Sequence, residues 1–375
     1  MTDGAMDRLP RTQEAIEAGI RERLHLGAQL YVSLHGEPVA DAALGEDRPG
    51  EPLTRDHLML WLSSTKPVPA VAIAQIWERG LLELDDPVAL HVPEFAAHGK
   101  EGITLRHLLT HTGGIRMLDT GWPHRSWEEI VARICAMKPE PRWIPGQKAG
   151  YHQASSWFIL GEVIQRVGGV PFSTYVRREI FEPLGMADSW IGMPPERYQA
   201  YEAERRIGAM WVTEGNREGE EPKPHGWDTE ERVVRPSPGG NGYGPCAELG
   251  RFYEMLLGRG SWRAQRILLP QTVEAFTTPH RVGMVDVTFK HVLDWGLGFI
   301  VNSIQYGAET VPYGYGHHAS ARAFGHSGYR SSTGFADPER GLAVTLAFNG
   351  TPSNERHEQR IRSVLDAIYG DLGLT

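Results

Sequence analysis

The sequence predicts an α/β fold: a central antiparallel sheet flanked by helices, built from both chain ends, with an inserted mainly helical region. Three observations carry this. Strand-like alternation and short apolar runs cluster before residue 45 and after residue 296. Apolar residues at helical spacing dominate the middle of the chain, and no repeat at solenoid period is present. At 375 residues there is enough chain to bury a large core. The expected division is an α/β domain over residues 1–85 and 245–375 and a mainly helical region over 86–244, with a long irregular loop at 213–244.

The elements follow in order. Ile16, Ile20 and Leu24 recur at spacing four, so residues 11–26 read as an amphipathic helix. Residues 28–34 and 39–44 read as strands joined by the turn residues His35-Gly36-Glu37-Pro38. Residues 63–82 read mostly as helix, ended at Gly80. Thr104 is placed to cap a short helix that stops before Gly113-Gly114. Residues 155–167 form a strongly apolar helix ended by Gly168-Gly169, and 172–181 another. The stretch 213–244 is rich in Gly, Pro, Glu and Arg and shows no apolar period, the composition of a functional or mobile loop. Helix resumes at 248–257. Strands are expected at 296–301, 323–326, 333–336 and 342–348, and a last helix at 355–369.

Composition narrows the function classes. The net charge of −9 argues against nucleic acid and anionic membrane surfaces as partners. No apolar run reaches membrane-spanning length. The chain starts without a basic segment followed by an apolar one, and its two cysteines, Cys135 and Cys246, make no disulfide framework. Both features point to a cytoplasmic protein. No cofactor or metal is called for, and oligomeric state is left open.

Ser63-Ser64-Thr65-Lys66 is the most informative stretch. It is the only Ser-x-x-Lys in a chain with six lysines. Residues three apart on a helical turn share a face, so the hydroxyl and the amine can touch. A Ser hydroxyl is a weak nucleophile until a base takes its proton, and a buried Lys can be that base. Two further segments add polar groups: Tyr151-His152-Gln153, running into an apolar helix, and His326-Ser327-Gly328-Tyr329, after a strand.

In order and separation these three segments resemble the serine hydrolase superfamily of class C β-lactamases, DD-peptidases and family VIII esterases. Three more segments match: His107-Leu108-Leu109-Thr110-His111-Thr112-Gly113-Gly114, Phe181-Glu182-Pro183-Leu184-Gly185-Met186 and Trp295-Gly296-Leu297-Gly298-Phe299. The resemblance spans nearly the whole chain and implies a β-lactamase/transpeptidase-like fold. It implies Ser63 as nucleophile, with Lys66 accepting its proton or keeping Tyr151 ionised. Tyr151 would relay a proton to the leaving group. The backbone N–H groups of Ser63 and Tyr329 would hold the oxyanion. Gln153, His326, Ser327, Gly328 and Trp61 are expected to line the substrate pocket.

Departures shape the substrate expectation. The second motif of the family ends in Asn where this chain has the longer Gln153. The third begins with Lys in the antibiotic-hydrolysing branches, where this chain has His326, which is uncharged when neutral. Both changes favour uncharged esters over β-lactams and peptides. Pro67 raises a local question, because a residue before Pro is pushed away from the α region. Other patterns are weaker. His107 and His111 stand four apart with no evident third ligand. His317-His318 is a poor chelate. Gly325-His326-Ser327-Gly328-Tyr329 fails the nucleophile-elbow pattern at its last position. Gly239 to Gly244 lacks the Lys of a phosphate loop. The expectation is a carboxylesterase acting on a small or medium acyl group. An amidase, peptidase or transacylase stands second, then a β-lactamase, and a non-catalytic binding module last.

Overall fold

A computed structural model describes residues 2–116, 119–215 and 222–375. Among these, a nine-stranded antiparallel sheet joins the two ends of the chain. Its order runs Thr2–Asp3, Glu37–Arg48, Gly27–Leu34, Leu342–Phe348, Ser332–Asp337, Phe324–Ser327, Ile300–Val301, Asp294–Trp295, with Glu51–Pro52 beside Glu37–Arg48. The central seam pairs Leu30 with Leu346 and Val32 with Val344. Both strands are almost wholly buried, because each face of the sheet is covered.

One face carries the helices Pro10–Arg21 and Asn354–Asp371 over Ile16, Leu30, Val32, Val344, Leu365 and Ile368. The two helices are tied end to end: the Asp371 carboxylate accepts from Thr12 N and Thr12 Oγ1, both at 2.9 Å. The other face carries Cys246–Leu257, and beyond it the larger core of the helical region. At its centre lies the helix Pro67–Glu78, with Pro67 to Ile76 all buried.

Several elements differ from expectation. Residues 296–301 form no single strand; Asp294–Trp295 and Ile300–Val301 are the arms of a hairpin. Its turn passes through Gly298 at φ +86°, where a Cβ would come within 2.4 Å of the Ala70 Cβ. The first helix ends at Arg21. Residues 172–181 are an α-helix to Val176 and then a π turn. The stretch 213–244 contains Lys223–Pro224, the short helix Glu230–Val234 and the strand Gly242–Gly244, while 216–221 lie outside the described residues. Helices at Trp127–Ala136, Pro195–Ala203 and Pro270–Thr277 were not anticipated. No described helix is long and apolar enough to cross a membrane.

Candidate active site

The strand Met59–Leu62 pairs with Gly242–Gly244 and delivers the chain into a sharp turn. Leu62 sits at φ +49°, a conformation that costs a non-glycine residue about 1–3 kcal/mol. Ser63–Thr65 is then a 3₁₀ turn, with Lys66 N donating to Ser63 O at 3.1 Å. The α-helix begins only at Pro67. This accommodates the missing proline donors, although Lys66 itself keeps the α-like backbone that a following proline disfavours. Pro67 and Pro69 lie in the first turn, where the missing N–H groups have no intrahelical partner anyway. Lys66 remains α-like at φ −55°, ψ −37°. In a 3₁₀ turn residues i and i+3 eclipse, which sets Lys66 Nζ 3.0 Å from Ser63 Oγ.

The residues between these two are fixed as well. Ser64 Oγ donates to His326 O at 3.0 Å and lies 3.1 Å from Ser332 Oγ. Thr65 Oγ1 accepts from Gly242 N at 2.8 Å. The Ser63–Thr65 turn is therefore stitched to the sheet on one side and to the Gly242–Gly244 strand on the other.

Tyr151 comes from the loop before the helix Ser155–Gly168. Its OH donates to Ser63 Oγ at 2.8 Å. Its backbone N–H donates to Asp286 Oδ1 at 3.1 Å, and Asp286 is paired with Arg281, both fully buried. The phenol packs among the rings of His111, Phe289, Trp295 and His326 at centroid distances of 4.8–6.0 Å. Phe289 in turn meets Tyr313 edge-on.

Burial acts on the two groups in opposite directions. It lowers the Lys66 amine well below the ordinary lysine value and raises the Tyr151 phenol well above the ordinary tyrosine value. Both shifts favour the neutral forms. Lys66 Nζ also donates to Gly239 O at 2.6 Å, which orients the amine. Sequence reasoning missed this acceptor, because a backbone carbonyl leaves no residue signature.

The other expected site residues divide. Gln153 and Tyr329 are exposed and line a cleft of about 460 Å³ together with Ser63. Tyr329 N makes no hydrogen bond among the described residues. His326 is fully buried behind Tyr151 rather than in the cleft; one ring nitrogen lies 2.8 Å from Ser327 O, and burial keeps the ring neutral. Ser327 is buried with its Oγ 2.9 Å from Thr333 Oγ1. Gly328 is a packing position: a Cβ there would come within 2.5 Å of Trp61 O. Trp61 does not line the pocket. It is fully buried, donates to Gly244 O at 3.0 Å and packs edge-on against Phe181. The cleft wall instead uses Leu60, Leu62, Trp122, Phe158, Trp227 and Tyr243. His107 and His111 are spoken for locally: His107 completes the cap with Thr104, and His111 Nδ1 accepts from His152 N at 2.9 Å. Among the described residues no three His, Cys, Asp or Glu side chains gather as metal ligands.

A family model described as Beta-lactamase matches residues 12–369. The chain belongs to the beta-lactamase family. It is 27% identical to Esterase EstB of Burkholderia gladioli, over 90% of this chain and 90% of that protein. Its fold matches a crystal structure of a novel penicillin-binding protein homologue from Caulobacter crescentus (TM-score 0.80, 28% identity, 97% and 98% of the two chains). It equally matches a family VIII carboxylesterase structure (TM-score 0.80, 25% identity, 99% and 100%). The protein is thus a serine hydrolase of the beta-lactamase family, with the α/β architecture of that family.

Proposed function

We propose that this member of the beta-lactamase family cleaves small or medium acyl esters through an acyl-enzyme on Ser63. The observation that carries the reading is the convergence of Lys66 Nζ and Tyr151 OH on one oxygen, Ser63 Oγ. As Oγ attacks the ester carbonyl, the neutral Lys66 amine takes its proton. The carbonyl oxygen, now negative, is received by the N–H groups of Ser63 and Tyr329. When the C–O bond breaks, Tyr151 gives its proton to the departing alkoxide, and the Lys66 ammonium returns a proton to the phenolate. Water then attacks the acyl group by the same steps in reverse and releases the acid.

Lowered Lys66 and raised Tyr151 support this allocation over one in which Lys66 holds Tyr151 ionised. The likeness to Esterase EstB and to a family VIII carboxylesterase favours esters. The buried, neutral His326 leaves the third motif without the permanent cation of the antibiotic-hydrolysing branches. The test is a pre-steady-state assay with 4-nitrophenyl butyrate. The expected result is a burst of one nitrophenolate per protein, absent in Ser63→Ala, with a butyryl adduct on Ser63 by mass spectrometry. Equal turnover by the mutant would remove Ser63 from the reaction. Adding a primary alcohol and following its butyrate ester tells transfer from hydrolysis.

A further inference from the structure

We infer that the cleft accepts an ester carrying a carboxylate on a short arm, bound by Arg232. This rests on the active-site reading above and narrows it.

Arg232 lines the same cleft as Ser63. Its guanidinium lies 5.4 Å from the centre of the Trp122 ring and makes no ion pair or side-chain hydrogen bond with a described residue. The groups that place it are fixed. Asn241 Nδ2 donates to the Arg232 and Arg235 carbonyls at 2.9 and 2.7 Å, while its Oδ1 accepts from Ser237 N at 2.7 Å. Trp122 Nε1 donates to Arg235 O at 3.1 Å, so the indole under the guanidinium is itself pinned. Asn241 closes the loop containing Gly239, the acceptor of Lys66. One side chain therefore fixes the Arg232 backbone and the loop whose Gly239 carbonyl accepts from Lys66.

The carboxylates nearby leave the cation available. Asp119, the acidic residue in the cleft wall, accepts from Gly121 N. Glu231 pairs with His124, and Asp228 with Arg48. Lys66 is held toward its neutral form, so Arg232 is the permanent cation in the cleft wall. A guanidinium over an indole, carried on backbone that Asn241 holds, presents its donors to a carboxylate at the cleft wall. The charge missing from the third motif is thus supplied from the opposite side of the chain order, by the stretch 213–244.

The test compares 4-nitrophenyl hydrogen glutarate with its neutral methyl ester, 4-nitrophenyl methyl glutarate. The wild type is expected to favour the acid in kcat/KM by about tenfold or more, with the advantage shrinking at 0.5 M salt. Arg232→Gln should lose the advantage and leave the neutral ester within about threefold, and Asp119→Asn should enlarge it. Equal losses on both esters in Arg232→Gln, or a wild-type preference for the neutral ester, would overturn the inference. Glutarate binding by calorimetry decides the matter independently of turnover. If neither ester is cleaved, the active-site reading falls, and Arg232-dependent glutarate binding still upholds the anion site; absence of that binding removes it.

Discussion

Lys66 and Tyr151 shift in opposite directions because the same dry surroundings disfavour the charged form of each. The pair therefore starts as free amine and intact phenol, the states that a proton acceptor and a proton donor need. Lys66→Met keeps the buried stem and removes the amine proposed as the base. We expect it to lower the acylation rate by about 10³-fold, and Tyr151→Phe by about 10²-fold or more. In wild type the acylation rate should fall as pH drops through the lowered Lys66 value, since protonation there removes the acceptor. Stopped-flow bursts across pH 5–9 check both points; an unchanged burst in Lys66→Met would reassign the base. Ser63 and Lys66 were readable because residues three apart share one helical turn, whereas Tyr151 was reached only through the resemblance of its segment to the second family motif. Trp61 was misplaced for a related reason: an indole in an apolar run signals burial but not which side of the strand it faces. Gly239 could not be found at all, since its contribution is a carbonyl.

At the level of elements, the turn Ser63–Thr65 and the loop at Tyr151 solve one problem twice. Each is irregular backbone held by a partner distant in sequence. For the first turn the sequence raised the question without answering it, because Pro67 disfavours regular helix at Lys66 while residues 63–82 read mostly as helix. For the second there was no hint: Asp286 is 135 residues away from Tyr151 and carries no motif. Besides Tyr151 N, Asp286 accepts from Thr288 N and Phe289 N, and its charge faces Arg281, whose own value burial lowers to about 10. Asp286→Asn preserves size and leaves the guanidinium unpaired in the core. It is expected to cost about 3–5 kcal/mol in urea unfolding and to lower the acylation rate by loosening Tyr151. Arg281→Met in the same background should recover part of the stability. A variant as stable as wild type would mean that the pair does not hold the loop.

Over the whole molecule, the sheet was legible as two clusters of alternating residues at opposite ends, since period two survives even where both faces are covered. What joins them was not. The Asp371–Thr12 cap and the buried Arg360, which donates to Leu24 O and Gly350 O, act between polar residues that look like surface in a linear reading. The histidines deceive in the same way. His25 and His357 are buried against Arg360, His111 and His326 pack against Tyr151, and His152 stacks on His111. Burial lowers all five, His152 to about 3. The sign follows directly. In the unfolded chain these rings protonate near pH 6.5, while in the folded protein they stay neutral. The unfolded state thus binds more protons below that pH, and stability is complete above it and lost as pH falls. Each ring contributes up to about 1.4 kcal/mol per pH unit, so five should make the slope between pH 6.5 and 5.5 steeper than any single residue allows. Buried Asp47 and Glu248 are raised by desolvation and oppose this trend, since they take up protons more readily in the folded protein. His317 works the other way: Asp366 and Glu309 raise it, so its contribution is complete below pH 6.5 and fades as pH rises. Urea midpoints at pH 8, 6.5 and 5.5 should therefore peak near neutrality and drop sharply on the acid side. His25→Phe should flatten the acid limb, because an apolar ring in that place takes up no proton. A flat profile from pH 6.5 to 5.5 would show that the five rings are not held neutral.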